Sequence, residues 1–243
     1  MKYKFNVLVT GGAKGLGRDL CRWFADKGAD VYVIDKTSKA SLDSSFLLRL
    51  KDYYQIDLSD RYAIEDFVAD CINNKIVFHI LIVNAFPRYF KYFIEFSHEE
   101  ISDFVNIAFT NHLFLMQVLL KKMIHRSFGR IFIIGSKSSF QGYSNGSLYC
   151  SLKKAYIGIY ESLSRELRNT DADVTLSLIH PDAFSNIDGK EYKVYDKLLN
   201  KITKCIDTGI HSNKSNVYHV YLYKTRIMGS IRLVKAMIDL WKR

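Results

Sequence analysis

The sequence predicts an α/β fold, a doubly wound parallel sheet of about seven strands with helices on both faces. Three observations carry this. Short apolar runs alternate with segments of helical spacing along most of the chain. The runs stop at polar residues, namely Thr10/Gly11, Asp35, Asp57 and Asn84. The first run also opens directly into a glycine cluster. Alternation of this kind implies right-handed βαβ units in a sheet covered on both sides. Polar residues at the strand ends mark the edge of such a sheet where ligands bind.

In order, residues 4–10 read as the first strand and 15–27 as the first helix. Residues 31–34 and 53–56 are the second and third strands, and helical spacing resumes over 60–74. A β-rich run over 77–83 precedes a long helix at about 99–125, a strand at 130–134, a helix at 148–168 and a strand at 174–179. Val194, Leu198, Leu199, Ile202 and Ile206 form a stripe that predicts a helix over 193–206, with Gly209 as its cap. Residues 217–223 read as the last strand and 226–241 as a closing helix. No repeat, low-complexity tract or linker divides the chain, so residues 1–243 form one domain.

Composition narrows the function. At 48% hydrophobic the 243 residues can build a sizeable core, which excludes intrinsic disorder. The longest apolar run, 76–86, is broken by His79, and none approaches the roughly 20 residues of a membrane span. The first strand begins almost at once, leaving no room for a secretory signal. Cys21, Cys71, Cys150 and Cys205 form no CxxC pair and no ligand-spaced cluster with histidines. That argues against a metal site or disulfide framework, and for the reducing cytoplasm. Lys+Arg 35 against Asp+Glu 25 gives a formal charge of +10, which leaves a nucleic-acid or membrane partner open.

The turn Thr10-Gly11-Gly12-Ala13-Lys14-Gly15-Leu16-Gly17 lies between the first strand and the first helix. Gly11 permits the tight turn, Gly15 lets backbone approach a pyrophosphate, and Gly17 lets helix and strand pack closely. The helix start offers free N–H groups to phosphates. A glycine turn can also be a tight turn with no ligand. Asp35, however, ends the second strand near the spacing at which a carboxylate meets the adenosine ribose. A carboxylate there repels a 2′-phosphate and favours NAD(H) over NADP(H), whereas Lys14 or Lys36 could pair with that phosphate or be solvated surface charge.

Further on, Ser136 follows an apolar strand, and Tyr149-Cys150-Ser151-Leu152-Lys153 follows Ser136. Tyr149 and Lys153, an i,i+4 pair, share one helix face. A free tyrosine has a pKa of about 10, and a neighbouring ammonium lowers it towards neutrality. The ordered set TGxxxGxG, Ser, YxxxK resembles the short-chain dehydrogenase/reductase family. The resemblance implies a Rossmann-like fold, a nicotinamide dinucleotide cofactor and interconversion of a carbonyl with a secondary alcohol. It makes Tyr149 the acid/base, Ser136 the group orienting the substrate oxygen, and Lys153 the pKa modulator and ribose ligand. It implies a cofactor cradle of Thr10, Gly11, Lys14, Gly15, Leu16, Gly17, Asp35, Asp57, Leu58, Asn84, Ala85, Tyr149, Lys153 and Pro181. It covers residues 4–181 well and the last quarter poorly.

The chain departs from the family in several places. Phe86 stands where the Asn-Asn-Ala-Gly turn has its glycine, placing a bulky ring beside the cofactor channel. The relay asparagine of the family aligns with Ala108, which leaves Asn111 as its stand-in and adds it to the catalytic set. After Pro181 the chain reads Asp182-Ala183-Phe184-Ser185-Asn186 instead of Pro-Gly and a later threonine. A short substrate loop over 182–191 would leave the site open, suiting an extended or carrier-bound substrate. Ser138, Gln141, Tyr143, Ser144 and Asn145 suit a hydroxylated substrate such as a sugar, or a solvated loop, and acyl substrates stay in play. His180 reads as structural. The segment 192–243 diverges most. Its last helix carries Ile227, Ile231, Val234, Ile238 and Trp241 on one stripe beside Arg226, Arg232, Lys235, Lys242 and Arg243. Packing on the core or in a homodimer or homotetramer is the favoured reading, and peripheral membrane contact the lesser one. No nucleic-acid motif appears, and much of the excess charge falls after Lys190. The alternative function is a dinucleotide-binding sensor or partner-binding protein with little catalysis.

Overall fold

The alternating pattern becomes a fully parallel sheet. The computed structural model describes residues 4–181 and 196–220. Its strands are β1 (Asn6–Thr10), β2 (Asp30–Asp35), β3 (Asp52–Gln55), β4 (Ile80–Val83), β5 (Phe128–Ile134), β6 (Asp173–Pro181) and β7 (Asn216–Val220). They form one sheet in the order β3-β2-β1-β4-β5-β6-β7, with every adjacent pair parallel. Winding reverses between β1 and β4, which pair directly. The crevice beyond their carboxyl ends is the switch point where such sheets bind ligands.

The helices are α1 (Gly15–Asp26), α2 (Ser44–Leu47), α3 (Arg61–Asn73), α4 (His98–Val105), α5 (Asn111–His125), α6 (Ser147–Arg168) and α7 (Asp196–Ile210). Alternate strand residues serve opposite cores. Val7, Val9, Val31, Val33 and Phe132 pack against Leu20 and Phe24 of α1 and Ile202 and Ile206 of α7. Leu8, Ile34, Leu81, Ile131 and Ile133 face Ile64, Leu115, Met116, Tyr156 and Leu167 on α3, α5 and α6. Burial on both faces explains why the strands are almost wholly apolar. Asp60 starts α3 by accepting the Ala63 N–H, and Ser97 with Glu100 forms a capping box on α4.

Some boundaries differ from the sequence reading, each for a physical reason. The long helix is interrupted by a wide π turn at Asn106–Thr110, where the Ala108 carbonyl accepts a 2.7 Å bond from the Tyr156 hydroxyl. Gly209 lies inside α7 instead of capping it, because a Cβ there would sit 2.6 Å from a ring carbon of Phe132. The span His98–His125 is long and apolar enough to cross a bilayer by length and composition, which counting unbroken runs misses. Its Leu115, Met116 and Met123 are buried against the sheet. The loop 182–191 with Asp182 to Asn186, residues 193–195, residues 221–223 and the 226–241 helix lie outside the described residues.

The fit of α1 onto the first turn leaves no slack: a Cβ on Gly17 would fall 2.0 Å from the Gly11 carbonyl oxygen. Gly17→Ala should therefore push α1 off β1. We expect about 1–3 kcal/mol lower stability in urea unfolding and dinucleotide binding weakened at least tenfold by fluorescence titration.

Candidate active site

The site is assembled around the end of β1. The Thr10 hydroxyl, fully buried, accepts the backbone N–H groups of Asn84 at 3.0 Å and Ala85 at 3.2 Å. The Asn84 side-chain amide donates back to the carbonyls of Thr10 and Gly11, both at 3.0 Å. His112 Nε2 on α5 lies 2.9 Å from the same hydroxyl, and its Nδ1 lies 3.3 Å from the Tyr156 hydroxyl. The turns after β1 and β4 are thus tied to each other and to α5 and α6. His112 and Tyr156 carry no local sequence signal, because their partners are distant in the chain.

The glycine turn has the geometry an anion needs. Gly11 and Gly15 adopt φ of +69° and +54°, and the Gly11 N–H donates to the Ile34 carbonyl at 2.8 Å. Lys14, the N-cap of α1, supplies no side-chain cap, and the first turn holds no acidic residue. The leading N–H groups of α1 are therefore open to a pyrophosphate, unlike those of α3 and α4. Leu16 and Gly17 are buried behind the turn.

Asp35 is less free than its position suggests. Its carboxylate accepts the Ala13 N–H at 3.0 Å and the Thr37 N–H at 2.9 Å, and it is only 8% exposed. Each oxygen keeps a lone pair for a ribose hydroxyl. Lys36 pairs with Asp57 at 3.6 Å. Burial pushes the Asp57 carboxyl up, but the Ser59 N–H and hydroxyl together with Lys36 hold it below its ordinary value. Leu58 is buried, and its carbonyl accepts the Asn111 amide at 2.7 Å. The Asn111 amide thus ties α5 to the segment after β3. The π turn at 106–110 shifts the face on which residue 111 lies, a displacement that α-helical counting cannot foresee.

At the reactive end, Ser136 begins a short 3₁₀ turn, Lys137–Ser139, and its hydroxyl accepts the Ser138 N–H at 3.1 Å. The Ser136 hydroxyl is near enough to Tyr149 to act on its phenol. Behind them His180 Nδ1 lies 2.9 Å from the Ser136 carbonyl, so the histidine fixes backbone, as a structural residue would. Pro181 ends β6 next to it. Lys153 is 3% exposed, and its Nζ donates to the Ile134 carbonyl at 2.7 Å. Phe86 packs on both partners of the helix pair. Lys153 Nζ sits 3.8 Å above its ring centre, and the Tyr149 ring meets it edge-on at 5.0 Å.

These positions revise the expected electrostatics. Burial, followed by the Arg88 guanidinium, brings the Lys153 amine down to about 7. Burial raises the Tyr149 phenol, while the Ser136 hydroxyl and then Arg88 pull it back. Arg88 favours the phenolate, and the Lys153 Nζ lies 5.8 Å from the Tyr149 ring centre. Arg88 sits two residues beyond Phe86 in an unpatterned stretch and gave no signal in the sequence.

A family model described as short chain dehydrogenase matches residues 6–191. The chain belongs to the short-chain dehydrogenase/reductase family. It resembles the 3-oxoacyl-[acyl-carrier-protein] reductase MabA of Mycobacterium avium, 28% identical over 72% of this chain and 66% of that one. It also resembles a 2-dehydro-3-deoxy-D-gluconate 5-dehydrogenase of Bacillus subtilis, 27% identical over 84% and 80%. A short-chain dehydrogenase from Streptomyces avermitilis shares the fold at TM-score 0.76 and 19% identity, covering 98% of this chain and 96% of that one. Solved neighbours of this fold hold NADH in 4-hydroxyisoleucine dehydrogenase (TM-score 0.72, 19% identity, 90% and 100% coverage) and NADP in ElxO (0.72, 20%, 90% and 98%). By family this short-chain dehydrogenase/reductase is an NAD(P)-dependent oxidoreductase.

Two buried histidines make the stability of this dehydrogenase acid-sensitive. Burial lowers both His112 and His180 to about 4. Between the unfolded value of about 6.5 and 4 the unfolded chain binds more protons, so stability falls as pH drops through that window. The loss is about 1.4 kcal/mol per pH unit for each histidine at most. Urea unfolding at pH 7 and pH 5 should show it, with a shallower dependence in His112→Gln.

Proposed function

We propose that the chain interconverts a carbonyl and a secondary alcohol through Tyr149, Ser136 and Lys153, with NAD(H) preferred over NADP(H). The observation that carries this reading is the placement of Tyr149 and the buried Lys153 on one helix face against the Phe86 ring, with Lys153 reaching the Ile134 carbonyl two residues before Ser136. Tyr149 and Ser136 together can hold one substrate oxygen. Ser136 donates to that oxygen and fixes its direction. Tyr149 delivers its proton to the oxygen in reduction and removes it in oxidation. When bound, the dinucleotide supplies or accepts the hydride. The open N-terminus of α1 and the glycine turn suit its pyrophosphate, and Lys14 stands beside them. Lys153, with an amine near 7, exchanges a proton readily at neutral pH, but its Nζ is covered by Phe86. That ring has to swing aside before the amine can reach a ribose.

Cofactor preference rests on Asp35, whose side chain accepts two backbone N–H groups next to the adenosine end. Lys36 is occupied by Asp57 and is a weak candidate for a 2′-phosphate. The substrate is a small molecule, acyl or sugar-derived as in the relatives' names. We place the reaction in the cytoplasm, where Cys21, Cys71, Cys150 and Cys205, all free, stay reduced. A second reading, dinucleotide binding with little turnover, draws on Phe86 lying over Lys153.

Two variants separate these readings. Tyr149→Phe should lower kcat by about 10²–10⁴-fold while NADH affinity, followed by nicotinamide fluorescence, stays within about threefold of wild type. A fully active variant would rule out the mechanism, and tight binding without turnover in the wild type would favour the second reading. Asp35→Ser should raise the NADP-over-NAD ratio of kcat/KM at least tenfold, and an unchanged ratio would remove Asp35 from cofactor selection.

A further inference from the structure

We propose that the groove between the ends of α3 and α5 binds a small amphiphilic anion, an apolar body of about six carbons bearing a carboxylate or phosphate head. The groove lies where the chain enters β4, at the opposite edge of the sheet from the crevice. It stands independently of the oxidoreductase reading.

A cavity of about 160 Å³ opens between the two helices. Phe67 of α3, Phe78 just before β4 and Leu119 of α5 line it and are buried. The Phe67 and Phe78 rings stack at 6.2 Å and form one apolar wall. Ile72 and Val77 also line it yet remain 52% and 42% exposed, so apolar surface continues to the opening. An apolar cavity of roughly 150 Å³ stays dry and takes a ligand the size of benzene.

The charge around this cavity has one sign. Lys75, Lys122 and Arg126 all line it, and no acidic side chain does. Among the described residues none of the three is in an ion pair. Arg126 Nε donates to the Phe128 carbonyl at 3.1 Å and its Nη2 donates to the Phe78 carbonyl, which fixes the guanidinium at the cavity edge. Asp70 of α3 accepts the Asn74 amide at 2.8 Å and is not part of the lining.

Helix C-termini attract cations, but they account for only part of this set. Each end carries about half a negative charge, so two ends offset about one cation of the three. At α3 the backbone serves the helix end by itself: Lys75 adopts φ of +54°, and the Ile76 N–H donates to the Cys71 carbonyl at 2.8 Å. The Lys75 ammonium is therefore not needed as a cap. The charge left over, set around an apolar cavity, is complementary to an anionic head on an apolar body.

The test is calorimetric titration of the full chain with hexanoate, hexyl phosphate, hexanol and acetate. The first two tell a carboxylate from a phosphate. At least one of them should bind with a Kd of about 0.1–10 mM and about tenfold tighter than hexanol, while acetate gives no signal. That preference over hexanol should shrink between about 0.01 and 1 M salt, as the screening length falls from about 30 to 3 Å. Lys75→Gln with Lys122→Gln, both at exposed positions, should weaken the anion about tenfold and leave hexanol unchanged. Ile72→Glu should abolish binding of anion and alcohol alike. NADH should leave hexanoate binding unaltered. Undiminished anion binding in the double lysine variant, displacement by NADH, or no binding of either anion by about 10 mM would overturn the inference. So would lysine-dependent binding of phosphatidylglycerol vesicles, or lysine-dependent self-association, in place of binding of either anion.

Discussion

The Thr10 hydroxyl joins the parts of the site, and the rest of the arrangement depends on it. With no exposure to water it accepts two N–H groups from the turn after β4 and meets His112 on α5. Such a buried polar group is stabilising only while its partners stay in place, so the two strand ends and the helix hold one another in register. His112 passes the constraint to Tyr156 on α6, which also bonds Ala108 in the π turn. Tyr149, Lys153 and Tyr156 are spaced i, i+4 and i+7, along one helix face. The position of Tyr149 relative to the glycine turn is therefore set by a chain of contacts running from β1 to α6.

Charge is handled differently at the two ends of the crevice. At the glycine turn the helix N-terminus is left without a side-chain cap, which keeps its N–H groups open to an anion. At the reactive end the protein places Lys153 out of water and gives it one carbonyl and one aromatic face. A buried ammonium with so few acceptors deprotonates easily, which brings the amine to about 7. The Phe86 ring supplies cation–π stabilisation to whatever charge remains. A phenylalanine in place of the family's glycine is thus more than bulk in the channel: it is the immediate partner of Lys153.

The sequence made the glycine turn, Ser136 and the Tyr149/Lys153 pair legible because each is defined by local spacing. The parallel, doubly wound sheet followed from alternation and right-handed crossovers. What stayed hidden depends on contacts between distant segments. The π turn at Asn106–Thr110 arises where Tyr156 reaches a carbonyl 48 positions away in the chain, and it turns Asn111 towards Leu58. Gly209 reads as a helix cap in one dimension and as a packing notch for Phe132 in three. Arg88 has no pattern around it, and only the path of the β4–α4 connection brings it to the tyrosine.

The central claim is that a nicotinamide dinucleotide lies across this crevice with Lys153 as its partner at the reactive end. A crystal structure of the NADH complex tests it most directly. The account predicts a pyrophosphate over Gly11–Gly17 at the start of α1, the Phe86 ring displaced, and Lys153 Nζ within hydrogen-bonding distance of the ribose next to the nicotinamide. A dinucleotide bound elsewhere, or Phe86 still covering Lys153 in the complex, would contradict it.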